Sequence, residues 1–403
     1  MPRPDSATAV RSPRVALLMV AVSDLSASGG AERQFTDLFE YFRRAHGGCV
    51  SLFTARAALA RLRQSGRVAD DAHVVALPLG SAPARGWSNV AWMTALLLLK
   101  TLGRGFDIVH LCLPTPSYVP YAALMTRLPR SLRPRVVLNV IDCTLAHNLV
   151  SNAPADLYEQ QVVDAHRMYF RWTNLDGIYS WYQAFAEVSR RQHLVDAATI
   201  VRPARFCFTD PRRFRPDARK ENVAVFAGRL SEQKRPWLFV EAVSVLRRRC
   251  PDLVEPWRFA MYGDGPLRTR ITRLIDEHGV GDILTLTHTP DMAPVFARTK
   301  LFVSTQALEN FTSLAMLEAM SAGNAVIAEE VGQTSEFVGN GDNGFLVSPA
   351  DSETLAAAIG EYLRHPDWHD RMAAASRYRA TNVHTIEHFA EDITTFWREV
   401  MTA

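Results

Sequence analysis

Short apolar runs alternate with amphipathic segments along the first half of the chain. The apolar runs, which predict strands, lie at residues 15–21, 49–53, 73–77, 107–113, 135–141, 176–180 and 198–201. The segments with apolar residues at helical spacing lie at 31–44, 57–65, 87–103, 117–127, 155–172 and 182–192. Strands and helices that alternate at these lengths predict a parallel sheet covered by helices.

The same alternation restarts in the second half of the chain. Apolar runs lie at 223–227, 258–262, 283–286, 300–304, 325–328 and 345–347, with helical segments between them. The intervening segment 202–221 has three prolines, seven Lys and Arg residues and no periodicity, so we interpret it as an interdomain linker. We therefore predict two tandem Rossmann-like α/β domains, at 1–205 and 206–382, with 1–12 as a disordered tail and 383–403 as a C-terminal helix.

Charge differs between the two halves, although the net charge of the 403-residue chain is only +3. Residues 1–205 carry 23 Lys and Arg against 15 Asp and Glu, and residues 206–403 carry 22 against 27. A basic first domain suits a phosphorylated or membrane-bound partner molecule. A solvated arginine-rich surface explains the same composition equally well, so both interpretations stay open.

Several classes of protein are disfavoured by composition and motif content. The five cysteines are scattered without metal-binding spacing, which is typical of reduced thiols in a cytoplasmic protein. The longest apolar run within 87–102 is too short to span a bilayer, so we expect membrane contact to be peripheral at most, on the inner face. There is neither a dinucleotide-binding glycine pattern with its acidic residue nor an aromatic RNA-binding signature, which disfavours hydride transfer and nucleic-acid binding.

One segment of the second half combines a strand, a polar loop and a buried helix. The strand is predicted to end at Ser304, and the loop contains Glu309 and Asn310. Apolar residues then recur at helical spacing, at Leu314, Leu317 and Met320. Thr312 or Ser313 can cap this helix, whose N-terminus favours a bound phosphate. Glu318 follows on the helix, so the segment suits a ligand with an anionic part and several hydroxyl groups.

A second segment places two cations beside a predicted helix start. Gly228 ends a strand and permits close backbone approach, and Arg229 and Lys234 follow five positions apart. Fixed cations in this position suit a pyrophosphate, and they can stabilise the negative charge that builds on a leaving diphosphate.

Together the two segments resemble the donor-site signature of family 4 retaining glycosyltransferases, which have the GT-B fold. Glu318 matches the second glutamate of the family motif, and residues 319–323 match its A-M-A-x-G tail. The resemblance implies that Glu318 holds the ribose of a nucleotide-sugar and that Arg229 and Lys234 contact the diphosphate in place of a metal. Glu309 lies nine positions before Glu318, where the motif has eight, so either Glu309 or Asn310 fills the first-glutamate role.

Further donor contacts follow from the resemblance. The backbone after the first glutamate faces the sugar and phosphate; here it comprises Asn310, Phe311, Thr312, Ser313 and Leu314. The turn with Gly263 and Gly265 resembles the family's nucleotide-pocket turn, and Gly29 and Gly30 resemble its N-terminal glycine loop. Asp142 and His147 are candidates for a contact with the donor sugar, as family members place a His or a His–Asp pair there.

The resemblance implies two Rossmann-like domains facing across a cleft, with the C-terminal helix crossing back to the N-terminal domain. We predict a metal-independent retaining hexosyltransferase that needs no cofactor and moves a sugar from a nucleoside diphosphate to a glycan, a lipid-linked sugar or a small molecule. The leaving phosphate is expected to take the acceptor proton in a same-face substitution. A nucleotide-sugar epimerase of the same fold and a non-catalytic nucleotide-sugar-binding subunit remain alternatives.

Overall fold

The structure is a computed structural model that describes residues 12–19, 30–64, 66, 68, 73–79, 87–141, 157–311 and 313–403. It divides into two compact units. The first contains the described part of Met1–Arg205 together with Ala390–Ala403, and the second is Phe206–Phe389.

The first unit is built on a seven-stranded parallel sheet of order β3-β2-β1-β4-β5-β6-β7. Its strands are β1 Val15–Leu18, β2 Val50–Ala55, β3 Val74–Leu77, β4 Ile108–Leu111, β5 Arg135–Val140, β6 Gly177–Ser180 and β7 Ile200–Pro203. All four residues of β1 and of β4 are buried, as expected for central parallel strands that are covered on both faces.

Helices connect and cover these strands. They are α1 Gly30–Ala45, α2 Arg56–Gln64, α3 Trp87–Thr101, α4 Val119–Arg127, α5 Leu157–Trp172, α6 Gln183–Arg191 and, at the C-terminus of the chain, α14 Ile386–Thr402. Each predicted strand and helix has a counterpart in the structure. The run at 198–201 is shifted to Ile200–Pro203, because Arg202 and Pro203 pair with the carboxyl end of β6. Proline is tolerated there since β7 is an edge strand and lacks a neighbour on one side.

The second unit has a six-stranded parallel sheet of order β10-β9-β8-β11-β12-β13. Its strands are β8 Val223–Ala227, β9 Arg258–Tyr262, β10 Leu284–Thr287, β11 Leu301–Ser304, β12 Ala325–Glu329 and β13 Gly344–Val347. Its helices are α7 Pro236–Arg249, α8 Pro251–Val254, α9 Arg268–Glu277, α10 Ala293–Arg298, α11 Leu314–Ser321, α12 Ser352–Arg364 and α13 Pro366–Tyr378. A capping box at Asp351 and Thr354 starts α12, where the Asp351 carboxylate accepts the Thr354 amide at 2.7 Å.

The second half of α14 belongs to the first unit through both apolar and polar contacts. Its buried apolar residues are Ala390, Ile393, Phe396, Trp397 and Val400. The buried carboxylate of Asp392 accepts the Tyr179 hydroxyl at 2.6 Å and pairs with Arg202 at 2.8 Å. The Trp397 indole donates to Nδ1 of His110 at 3.1 Å. A buried charge of this kind is tolerated because it is paired and hydrogen-bonded.

Two parallel sheets with helices, and a C-terminal helix whose second half joins the first unit, confirm the predicted fold class. Within the part of the chain that the structure describes, no helix is long and apolar enough to cross a lipid bilayer.

Candidate functional site

The strand order of the second unit reverses between β8 and β11, which are neighbours in the sheet. At such a switch point the loops after the two strands leave in opposite directions, and ligands of open α/β sheets bind in the crevice between them. The loop after β8 carries Gly228, Arg229 and Lys234, and the loop after β11 carries Glu309 and Asn310. The fold therefore brings both predicted donor-site segments to one edge of one sheet.

Two glycines hold the loop after β9 against the loop after β8. The amide of Gly228 donates to the carbonyl of Tyr262 at 3.0 Å. A Cβ at Gly263 would lie 2.0 Å from the carbonyl oxygen of Gly228, and one at Gly265, whose φ is +153°, would lie 2.6 Å from that of Leu230. Larger residues at these two positions would push the loops apart, so Gly263 and Gly265 shape the site through the backbone.

The two predicted cations differ in their surroundings. Arg229 is exposed, whereas Lys234 is half-buried at the end of a short 3₁₀ turn, Glu232–Lys234. The Lys234 ammonium donates to Oε1 of Gln306, and the Thr305 hydroxyl donates to the Lys234 carbonyl at 2.6 Å. Lys234 thus links the loop after β8 to the loop after β11.

Arg235 adds a cation to this edge that the sequence analysis missed. Its φ of 41° is unusual for a residue with a side chain. Its Nε donates to the Thr305 carbonyl at 3.0 Å, and its guanidinium forms an ion pair with Glu329 at the end of β12. Burial lowers the pKa of Arg235. Left-handed backbone dihedrals are recognisable in a sequence mainly where the residue is glycine. The conformation of Arg235, between a 3₁₀ turn and a helix, could therefore not be predicted.

Glu309 is turned towards the backbone. Only 5% of the residue is exposed, and its carboxylate accepts the Phe311 amide at 2.8 Å and the Gln333 amide at 2.9 and 3.0 Å. Burial raises the pKa of Glu309, and these amide hydrogen bonds act in the opposite direction. Gly332, with φ +51°, is required beside it, since a Cβ there would lie 2.0 Å from Oε2 of Glu309. The carboxylate therefore joins the loop after β11 to the loop after β12.

Asn310 is also turned inwards and is completely buried. Its Oδ1 accepts the Ser304 hydroxyl at 2.6 Å, and its Nδ2 donates to the Thr334 hydroxyl at 3.1 Å. Both candidates for the first-glutamate role thus have their side chains hydrogen-bonded to neighbouring protein groups.

The start of α11 presents backbone donors at this edge. Ser313 occupies the N-cap position, and its side chain makes no capping bond to the described residues. The amide of Leu317 is the first to bond back to Ser313, so the amides of Leu314 and the two residues after it have no partner within the helix. Phe311 is buried against Phe337, with ring centroids 5.3 Å apart, and fixes the chain just before the helix.

Glu318 lies on the second turn of α11, and only 4% of the residue is exposed. The helix is held against the sheet by the buried apolar residues Met316, Leu317, Ala319 and Met320. Glu318 thus lies on the helix that follows the loop after β11, where the sequence placed the predicted ribose-binding residue.

Four predicted site residues lie outside the described residues: Gly29, Asp142, His147 and Thr312. Gly30 begins α1 in the first unit. In the described part of the chain, no group of three or more His, Cys, Asp or Glu side chains is arranged to hold a metal ion.

A cavity of about 520 Å³ opens at the other edge of this sheet, where the chain enters β8 and β11. Its ammonium groups are held by the protein. Lys220 donates to the carbonyls of Phe296 and Thr299, and Lys300 donates to Asn222. Burial, with a smaller contribution from Lys300, lowers the pKa of Lys220 to about 7. The switch-point edge remains the better candidate site, because both predicted donor-site segments lie there.

The two parallel sheets and the switch-point site define a GT-B glycosyltransferase fold. The fold is shared with the Anabaena protein HepE, solved with UDP and glucose, at a TM-score of 0.70, 18% identity and coverage of 96% of this chain and 99% of that one. It is also shared with sucrose-phosphate synthase from Thermosynechococcus elongatus, at a TM-score of 0.72, 18% identity and coverage of 97% and 100%.

Residues 221–365 match the family model Glycosyl transferases group 1, which confirms the predicted resemblance. The segment contains every site residue of the second unit described above. The predicted enzyme class, a glycosyltransferase, is also the class that the two curated relatives described next carry by name.

Two relatives from Streptomyces are examples. An alpha-D-kanosaminyltransferase of Streptomyces kanamyceticus is 23% identical over 44% of this chain and 46% of its own length. A D-inositol 3-phosphate glycosyltransferase of Streptomyces griseus is 30% identical over 39% of this chain and 35% of its own length. The chain thus matches between about a third and a half of the length of these relatives.

Proposed function

We propose that the protein is a retaining glycosyltransferase that moves a sugar from a nucleoside diphosphate to an acceptor. The observation that carries the proposal is the convergence of Arg229, Lys234 and the start of α11 at the switch point of the second unit, inside the segment that matches the glycosyltransferase family model. Two cations and a helix N-terminus form a site suited to a diphosphate, and the UDP bound to HepE is a ligand of that class in a protein of the same fold.

Each part of the donor has a candidate partner. Arg229 and Lys234 neutralise the diphosphate and stabilise the charge that develops on it as the glycosidic bond to the donor breaks. The amides of Leu314 and the next two residues hydrogen-bond its oxygens. Glu318 accepts hydrogen bonds from the ribose hydroxyls.

The side chains of Glu309 and Asn310 influence donor binding indirectly, by holding the backbone of the donor loops in place. Since the carboxylate of Glu309 binds the amides of Phe311 and Gln333, its role is to fix the loops that face the sugar. Asn310 does the same through Ser304 and Thr334. This arrangement supports a site in which backbone amides, rather than a first-glutamate side chain, contact the donor.

The reaction requires neither a metal nor a protein nucleophile. The carbon of the sugar breaks its bond to the diphosphate oxygen and forms one to the acceptor oxygen on the same face, and the leaving diphosphate takes the acceptor proton. Protein cations occupy the place that a metal would otherwise fill. The acceptor is a glycan, a lipid-linked sugar or a small molecule, and the basic first domain suits one with phosphate or one at a membrane.

A panel of nucleotide-sugars incubated with the protein tests the proposal. Release of nucleoside diphosphate, by transfer or slow hydrolysis, supports the proposal when Lys234→Ala lowers the release by about two to three orders of magnitude. Replacement of Arg273, an exposed cation on α9, by alanine should leave the release unchanged. A free epimer of the donor sugar would indicate an epimerase instead. Binding of a nucleotide-sugar without turnover of any donor–acceptor pair would indicate a non-catalytic subunit.

A further inference from the structure

Large apolar side chains are concentrated on one side of the first unit. Ten large apolar residues are exposed in the described part of the chain, and seven of them lie between residues 92 and 172. We call these seven the apolar face: Trp92, Leu99, Leu124, Leu128, Leu132, Met168 and Trp172. Leu99 is 71% exposed and Leu132 is 68% exposed, so they extend well into solvent. Exposed apolar clusters of this kind mark interaction sites.

The apolar face is continuous because its helices are neighbours. Helix α4 contacts both α3 and α5. Trp92 and Leu99 are seven residues apart on α3 and lie on the same side of that helix two turns apart. Met168 and Trp172 are four residues apart on α5 and share a side in the same way. Exposed apolar side chains therefore lie on three neighbouring helices of this layer and at the end of α4.

Positive charge surrounds the apolar face. Residues 87–141 contain a single acidic residue, Asp107, whose carboxylate accepts the Arg14 amide at 2.7 Å. The exposed or half-buried basic residues on α3, α4, α5 and the loops beside them are Lys100, Arg104, Arg127, Arg130, Arg167 and Arg171, of which Arg130 also pairs with the buried Asp176 at 3.3 Å. The guanidinium of Arg171 lies over the ring of Trp172, 5.1 Å from its centroid. On α5, Asp164 is exposed and accepts a hydrogen bond from Gln160 at 2.8 Å.

We propose that the apolar face docks the protein on the surface of an anionic lipid bilayer. Apolar side chains bury into the boundary between headgroups and acyl chains, and tryptophan prefers this depth. The surrounding Lys and Arg side chains complement the negative headgroups. Because residues 87–141 contain only one acidic residue, little negative charge opposes this attraction. A protein partner of ordinary composition carries both positive and negative charges. A ring of basic residues around an apolar centre therefore suits an anionic lipid surface better than such a partner.

All of these residues belong to the first unit, so the inference does not rest on the donor site of the second unit. It identifies the surface through which peripheral membrane contact occurs. If the protein has the proposed function, docking on a bilayer favours a lipid-linked sugar among the three acceptor classes, because such a sugar is presented at the same surface.

Flotation of the full-length protein with lipid vesicles tests this surface. Wild type should float with phosphatidylcholine vesicles that contain phosphatidylglycerol, and less with phosphatidylcholine alone. The double variant Trp92→Gln, Leu99→Gln should lower the partition coefficient by about a hundredfold or more, because the apolar burial of each side chain contributes about tenfold or more. Tyr378→Gln, which removes an exposed aromatic of the second unit, is the matched control and should float as wild type does.

Charge variants separate the electrostatic contribution. Arg127→Gln with Arg171→Gln should lower partition onto the anionic vesicles by about fivefold per residue, from about 1 kcal/mol each, and leave partition onto neutral vesicles unchanged. All substituted side chains are exposed, and circular dichroism checks that the variants are folded.

Three results would overturn the proposal. Wild type could fail to float with anionic vesicles, or the Trp92→Gln, Leu99→Gln variant could float as well as wild type. Alternatively, sedimentation could show a wild-type dimer that this variant dissociates, and the face would then be a contact between two copies of the chain.

Discussion

Replacing Glu309 with glutamine tests how the donor loops are built. The carboxylate accepts two backbone amides, at Phe311 and Gln333, and both of its oxygens are used. Glutamine keeps one acceptor oxygen, but its NH₂ group replaces the other oxygen and faces an amide N–H. The change removes at least one charge-assisted hydrogen bond in a buried site, which costs about 1.5–3 kcal/mol.

This cost should appear as lower stability of the second unit. For a domain of this size, a loss of about 2 kcal/mol lowers Tm by about 4–8 °C. Differential scanning calorimetry measures the shift. Isothermal titration measures binding of nucleoside diphosphate, which should weaken together with binding of the full donor, since the displaced loops contact both. Glu330→Gln is the matched control, because Glu330 is exposed on the following loop.

A direct contact between Glu309 and the donor sugar would give a different pattern. Transfer would fall while Tm stayed within about 1 °C of the Glu330→Gln control and nucleoside diphosphate affinity was unchanged. That pattern would refute the positioning role and restore Glu309 to the first-glutamate role of the family. Asn310→Ala should behave like Glu309→Gln in the present structure, since its amide is equally buried between two loops.

Four further predictions concern the donor site and its stability. Arg229→Ala and Lys234→Ala should each lower kcat by about two to three orders of magnitude, as for removal of one preorganised charge stabiliser, and unchanged rates in both would end the diphosphate assignment. Activity should survive EDTA, and a loss that Mn²⁺ or Mg²⁺ restores would contradict metal independence. Glu318→Ala should weaken nucleoside diphosphate and full donor equally, by about 1.5–3 kcal/mol in titration, and an effect on the donor alone would exclude the ribose contact. Burial against Phe337 lowers the pKa of His384 to about 4, so the second unit should lose about 3 kcal/mol as pH falls from about 6.5 to 4. Urea unfolding of His384→Phe should lack that part of the pH dependence, and identical pH profiles would show that His384 does not titrate as described.

The elements of the fold were predictable because each has a local signature. Strand β8 was expected at 223–227 and is Val223–Ala227, and α11 follows the polar loop after β11 as its apolar spacing indicated. Burial of parallel strands on both faces produces continuous apolar runs, which are visible without knowledge of their partners. A C-terminal helix was likewise expected at 383–403 and is Ile386–Thr402.

The contacts that build the site were not predictable, because they join loops distant in the chain. Glu309 binds the amide of Gln333, 24 residues away, and Lys234 binds Gln306, 72 residues away. Neither pairing leaves a periodic pattern in the sequence. The extra residue between Glu309 and Glu318 was visible in the motif, but only the fold shows that both Glu309 and Asn310 point into the protein.

A crystal structure of the protein with a bound nucleoside diphosphate tests the proposed donor site most directly. We predict diphosphate oxygens within about 3 Å of the Arg229 or Lys234 side chains and of the amides that begin α11, with the ribose against Glu318. A diphosphate bound elsewhere, such as in the cavity beside Lys220 and Lys300, would contradict the site on which the proposed function rests.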